Sequence, residues 1–556
     1  MPYRAPVSEL RFVLDHVVGF DRVAATTRFA EATPETVDAI LTEAGRMAQD
    51  VLAPLQRAGD LHPARLENGV VRTSPGFADG FRAVAEGGWL GMSADPAHGG
   101  MGLPITLTMA VNEMMGSACL SLQLNPLMTQ GQIEALEAHA SPELRDLYVP
   151  KLVSGEWCGT MNLTEPQAGS DVGALKAKAV PNGDGTYAVS GQKIYISWGD
   201  NDFSENVCHL VLARLPEAVE GTRGISLFMV PKRIPDADGN AGVANALKVV
   251  SLEHKLGLHG SPTAVMQYDG ATGWLVGEPH RGMAAMFTMM NNARLGVGVQ
   301  GISVAEAAMQ HAIGYAMDRR QGRTGRDADH ILHHADVRRM VLSMKADVFA
   351  ARALAMDCAV ALDMAKATGE AAWAARGAFL TPIAKAYGTD VGIKVAGDGI
   401  QVHGGMGFVE ETGAAQYLRD VRVTAIYEGT NGIQAADLVG RKLADSGAAA
   451  FALLDEVAAT EHEGVRAAAE ALRDLTGWML AQPMEDRLAG SVAYLAAFAR
   501  VLGTHYHLRA ATADPARAPL ARHAVGRMLP EALAEMAKAR TGAEELYDVP
   551  DDVIAA

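Results

Sequence analysis

Hydrophobic positions recur at helical spacing over most of the chain and alternate over one central part. Residues 1–35 carry Leu10, Val13, Leu14, Val17 and Val18 at helical spacing and read as an amphipathic N-terminal extension. A helix is then predicted to open at Pro34 behind a Thr33 cap, with Val37, Ile40, Leu41 and Ala44 on one face. Helical patterning continues to about residue 155. It is interrupted at Gly87 to Gly91 and at Ala94 to Pro104, where the glycine and proline density marks loops. From Glu156 to about residue 280 the period becomes two, with strands predicted over Thr186–Gly191, Gln192–Ser197, Val207–Ala213 and Ile225–Val230. Shorter strands are expected over Lys248–Ser251, Thr263–Tyr268 and Gly273–Val276. Helices resume over Met286–Met317, Ala335–Gly369 and Ala371–Gly399, the first with Ala293, Gly296, Gly298 and Gly301 spaced for close helix packing. Beyond Lys442, a linker at Ser446 to Ala450 leads to helices over Gly464–Leu480, Asp486–Ala511 and Leu520–Arg540.

The pattern implies an α+β chain in five parts: the extension 1–35, an N-terminal helical domain 36–155, a β-barrel-like middle domain 156–280, a C-terminal four-helix bundle 281–445, and an added helical domain 446–556. Composition narrows the class. Hydrophobic residues make up 49% and charged residues 20%, and no apolar run approaches the roughly 18 residues that cross a bilayer. The N-terminus lacks the basic-then-apolar layout of a secretory signal, so a cytoplasmic location is expected. Cys119, Cys158, Cys208 and Cys358 have no paired ligand spacing, which predicts buried thiols and no metal site. The net charge of −17 argues against a nucleic-acid surface. From Phe451 onward the tail holds 10 basic and 16 acidic residues, and so is expected to cover the bundle or form an oligomer interface.

Candidate chemistry concentrates between Tyr387 and Lys442. Gln401 to Gly407 is glycine-broken, and Gly404, Gly405 and Gly407 suit either an ordinary helix-ending turn or a backbone that approaches a flat or phosphorylated ligand. Glu428 follows the apolar Ala425, Ile426 and Tyr427. It is either a first-turn capping carboxylate or a desolvated one whose pKa rises toward neutrality, as a general base requires. Met161 to Asp171 reads as a turn whose amides and hydroxyls, at Thr164 and Ser170, can bond a polar ring edge or a pyrophosphate. Met109, Met114 and Met115 are either core filler or the lining of an acyl pocket.

Taken together, Gln401 to Gly407, Arg419-Asp420, Tyr427-Glu428-Gly429-Thr430 and the loop Thr164 to Asp171 resemble the acyl-CoA dehydrogenase family over nearly the whole chain. The extension and tail resemble its long subgroup, which includes 3-methylmercaptopropionyl-CoA dehydrogenase. The resemblance implies FAD-dependent α,β-dehydrogenation of an acyl-CoA thioester, with Glu428 taking the α-proton and the flavin N5 taking the β-hydride. It implies flavin contacts from Met161, Leu163, Thr164, Ser170, Tyr195, Ile196, Ser197, Arg319, Gln401, Gly404, Gly405, Thr430 and Asn431. Tyr195 and Ser197 stand where many relatives have tryptophan and threonine, and strand packing is the other reading of Tyr195. Substrate contacts are implied for Ser170, Asn291, Arg294 and Gly429, although Arg294 suits a core-edge salt bridge equally. Arg319 is retained from an arginine element in which Gly322 and Arg323 replace phenylalanine and glycine. The implied partners are an electron-transferring flavoprotein and a second copy of the chain, with a short or medium acyl chain or 3-methylmercaptopropionyl-CoA as substrate. Two rival activities share the fold: an acyl-CoA oxidase, and a DNA-binding alkylation-response flavoprotein, against which the acidic tail speaks.

Overall fold

The computed structural model describes residues 3–326 and 329–556. They form two compact units, one of residues 43–293 and one of residues 1–42 with 294–556.

In the first unit the alternating pattern becomes a seven-stranded sheet. Its order is Leu247–Leu252, Thr263–Val276, Tyr187–Ser197, Lys178–Pro181, Asn206–Arg214, Trp157–Asn162. Ile225–Pro231 pairs with both Thr263–Val276 and Asn206–Arg214, which closes the sheet on itself as a barrel. Two pairs of expected strands are single long strands. Tyr187–Ser197 runs through Gly191, where φ is +145° and a Cβ would meet that of Ala177 at 2.8 Å. Thr263–Val276 runs through Gly270, at φ +81°, where the register slips by a bulge. Glycine in these strands marks a bend and not an end. The helix beginning at Ile105 extends to His139, well past the apolar stretch around Met115, with a break at Cys119 (φ −156°, ψ 90°). Met109, Met114 and Met115 are fully enclosed, and all four cysteines are buried thiols.

The second unit is helical, and its packing places the residues treated below. Thr33 caps the Pro34–Met47 helix, its hydroxyl accepting from the Thr36 N–H at 3.2 Å. Helix Gly282–Asp318 crosses helix Ala371–His403 with glycines at the contact. A Cβ on Gly298 would sit 2.6 Å from the Ala384 carbonyl oxygen, and one on Gly301 would sit 2.3 Å from that of Gly388. Only glycine allows these backbones so close, and the crossing brings the segment around Arg294 beside that around Lys385. The tail lies against the bundle. Tyr506 donates to Asp357 at 2.7 Å, and Asp357 pairs with Arg376 at 2.8 Å. The first residues belong here too, since Glu9 pairs with Arg517 at 2.8 Å and that guanidinium stacks over Phe12. The expected linker at Ser446 is instead a tight turn into a helix, Ala448–Ala458, whose first N–H groups are accepted by Asp445. No helix among the described residues is long and apolar enough to cross a membrane.

Candidate active site

Glu428 and Gly429 are consecutive left-handed residues, at φ +55° and +82°. Such a backbone costs a glutamate on the order of 1 kcal/mol, so neighbouring groups must hold it. Gln434, one turn into the Asn431–Asp437 helix, donates to the Glu428 carbonyl at 3.0 Å and to that of Gly429 at 3.3 Å. Lys385, on the Ala371–His403 helix, donates to the Gly429 carbonyl at 2.9 Å. Tyr427 donates to the carboxamide of Gln300. Residue 429 must be glycine, because a Cβ would lie 2.8 Å from the Gln434 amide nitrogen.

Burial drives the Glu428 carboxyl up to about 7, outweighing the opposing pull of the Arg294 and Lys385 charges. Lys385 is in turn pushed down to about 8 by burial. Arg294 is 6% exposed and pairs with Asp437 at 3.3 Å. The result is a half-buried carboxylate that changes protonation near neutrality, beside two cations.

The structure distributes the other expected residues unevenly. Gln401 is not in a loop: it lies in the last turn of its helix, and Gly404–Phe408 continues as a 3-10 turn. Gly404 and Gly405 are exposed, with open space where a Cβ would stand. Thr430 caps the next helix, accepting from Ile433 N–H at 3.2 Å. Asn431 begins that helix and bonds to the neighbouring one. Its carbonyl accepts from Lys385 at 2.9 Å, while its amide donates to Asp390 at 2.7 Å and Thr389 at 2.9 Å, so the side chain is consumed inside the chain. Arg319 and Asn291 are exposed. The reading from sequence missed Lys385, Gln434 and Asp437. For Lys385 a signal existed, a lone lysine inside the apolar run Phe379 to Tyr387.

In the sheet unit, the loop after Trp157–Asn162 is tied to strand Tyr187–Ser197. Ile194 N–H donates to the Thr164 carbonyl at 2.9 Å, and the buried Lys193 ammonium donates to the Leu163 carbonyl at 3.1 Å and to Glu165 at 2.8 Å. Glu165 also accepts from the N–H groups of Lys176 and Ala177. Burial alone would raise its pKa, but Lys193 and these N–H groups hold it below the usual range. The framework fixes Met161, Leu163 and Thr164, all half-buried, next to the end of the strand. There Tyr195 adopts φ +60° and stands 61% exposed, between buried Lys193 and Ile196 and half-buried Ser197. Ser170 is exposed. An exposed aromatic ring on a strand end that also carries the Ser197 hydroxyl suits a flat heterocycle with a polar edge, as the flavin of FAD is.

Residues 34–156, 160–271 and 280–443 match the N-terminal, middle and C-terminal domains of acyl-CoA dehydrogenases. The chain therefore belongs to the acyl-CoA dehydrogenase family, FAD-dependent oxidoreductases. It is 46% identical over 526 residues to 3-methylmercaptopropionyl-CoA dehydrogenase of Ruegeria pomeroyi, covering 93% of this chain and 87% of that one. It is 37% identical to a butyryl-CoA dehydrogenase of Syntrophomonas wolfei, over 73% of this chain and 70% of the relative. The structure of Caenorhabditis elegans ACDH-11 in complex with C11-CoA superposes with a TM-score of 0.79 at 20% identity, over 100% of this chain and 95% of that one, and so shares the fold.

Proposed function

We propose that this protein converts an acyl-CoA to a trans-2-enoyl-CoA, with Glu428 as the base that removes the α-proton. The observation that carries the assignment is the Glu428 carboxyl itself, desolvated to about 7 and held on a strained turn beside Arg294 and Lys385. A base is most effective with its pKa near the working pH, since it is then both ionised and strong enough to take a carbon-bound proton. Glu428 accepts the proton from the α-carbon, and its own backbone N–H is assigned to the thioester oxygen, where negative charge develops. Gly429 leaves that backbone open to the thioester. The two cations keep enough carboxylate ionised for the first step.

Met161, Leu163, Thr164, Ser170, Tyr195, Ile196 and Ser197 are assigned to FAD, together with Arg319, Gln401, Gly404, Gly405 and Thr430. Asn431 is assigned to FAD through its backbone, since its side chain bonds to Lys385 and Asp390. When bound, FAD supplies the acceptor for the β-hydride, which no side chain can provide. Ser170 and Asn291 are assigned to the coenzyme A portion, while Arg294 acts through its charge on Glu428. The substrate is assigned as 3-methylmercaptopropionyl-CoA or a short to medium acyl-CoA, on the similarity to the Ruegeria pomeroyi relative. An electron-transferring flavoprotein as acceptor and a homodimer complete the proposal, both taken from the family.

Anaerobic titration of the FAD-loaded protein with acyl-CoAs of graded length, and with 3-methylmercaptopropionyl-CoA, tests this reading. Flavin bleaching by the thioether or short-chain thioesters, with little oxygen uptake on aerobic turnover, is the expected result. Retained FAD with no bleaching by any thioester would overturn it, and rapid oxygen consumption would reassign the enzyme as an oxidase.

A further inference from the structure

Behind the Glu428 turn lies a chain of polar contacts that the proton transfer does not use. Lys385 donates to the Gly429 carbonyl and to the Asn431 side-chain carbonyl, each at 2.9 Å, and Asn431 donates to Asp390 at 2.7 Å. Asn431 is fixed further by Thr389 at 2.9 Å and the Ala386 carbonyl at 3.3 Å. Asp390 makes no salt bridge among the described residues. It and Asn431 open onto a cavity of about 230 Å³ whose far wall, including Val492, Leu495 and Arg500, comes from the C-terminal tail.

We infer that Lys385 is a positioning residue for the reaction: held by Asn431 and Asp390, it clamps the Glu428-Gly429 turn through the Gly429 carbonyl and sets the protonation of Glu428 by its charge. The inference rests on the assignment of Glu428 as the base. Its geometric ground is that one ammonium meets both the turn and the first residue of the following helix. A neutral side chain there would free the turn and remove a nearby positive charge.

The charges around this pair come from several elements. Lys385 faces Glu428, Asp390 and Arg294; Glu428 faces Arg294 and Lys385; Arg294 faces Asp437 and Arg441; and Asp390 is influenced by Arg500 and Arg422. Burial leaves Lys385 at about 8, with Asp390 and Glu428 opposing the drop. The charged Lys385 holds the turn and favours the ionised form of Glu428, so both effects act together between their two values. The tail walls the cavity and places Arg500 near Asp390.

The test is the pH dependence of kcat/KM in the full-length, FAD-loaded protein and its Lys385→Met and Lys385→Arg variants, with FAD content and Tm alongside. Lys385→Met is expected to move the acid limb upward by about one pH unit, costing roughly fivefold at pH 7, since loss of a close opposite charge raises a carboxyl pKa. Lys385→Arg should return the limb toward its wild-type position. An unmoved acid limb in a folded, FAD-containing Lys385→Met protein would overturn the inference. If Lys385→Met does not fold, Asp390→Asn decides: a downward shift of the alkaline limb supports the relay, and an unchanged limb refutes it. Turnover by Glu428→Gln would instead defeat the base assignment, so the two failures are distinguishable.

Discussion

Gln434 donates its side-chain amide to the backbone carbonyl of Glu428 at 3.0 Å, across the turn that carries the carboxylate. The glutamine belongs to the helix that begins at Asn431, so the conformation of the base is tied to that helix and not to a free loop. Gln434→Leu should keep the fold and lose the restraint on Glu428. The expected outcome is a fall in kcat of about 10- to 100-fold, in line with the sensitivity of oriented reactions to small misplacements. Steady-state kinetics with an unchanged FAD content checks this.

The raised pKa of Glu428 has a consequence for stability. Its folded value, about 7, lies above the ordinary 4.5 of an exposed glutamate. The protonated form is therefore favoured by folding. That contribution is fully present below the unfolded pKa and is lost as pH rises through about 7. Glu428→Gln should raise Tm relative to wild type at pH 8, with the difference shrinking toward pH 5. Thermal melts at the two pH values measure it.

Lys193 and Glu165 form a fully buried pair at 2.8 Å that anchors the loop bearing Leu163 and Thr164. Lys193→Met would leave Glu165 buried without its cation, a loss of about 3–5 kcal/mol for pairs of this kind. The purified variant should show a lower ratio of flavin to protein absorbance and a lower denaturation midpoint in urea.

At the helix crossing, Gly301→Ala would place a methyl 2.3 Å from the Gly388 carbonyl oxygen. Overpacking of this kind costs about 1–3 kcal/mol. Separation of the two helices is expected to disturb Arg294 and Lys385, which they carry, so activity should fall more than stability does. Parallel urea denaturation and kinetics distinguish the two effects.

The long helices were readable because their apolar period persists over many turns: Ala335–Thr368, Ala371–His403 and Glu463–Ala481 lie within a few residues of expectation. The Ala448–Ala458 helix was hidden by its alanines, which give no contrast between faces, and by Ser446 and Gly447, whose positive φ marks a sharp entry and not a linker. In the sheet, Gly191 and Gly270 imitated strand ends because a residue without a side chain can signal a bend as well as a stop. Glu428 stood out through a long motif, and desolvation as the reason for its basicity could be argued from the apolar Ala425 to Tyr427 before it. Its partners could not. Lys385, Arg294 and Asp437 come from separate helices, and only the glycine crossing brings the first two together. The partners of the Asn431 side chain were hidden for the same reason, since they belong to another helix.

The most direct measurement is the anaerobic rate of flavin reduction in Glu428→Gln against wild type, by stopped flow with the best acyl-CoA, both proteins carrying FAD. Loss of a general base predicts a fall of about 10²–10⁴-fold in that rate while the thioester still binds. Reduction at a rate within a few-fold of wild type would contradict the assignment and require the α-proton to leave by another group.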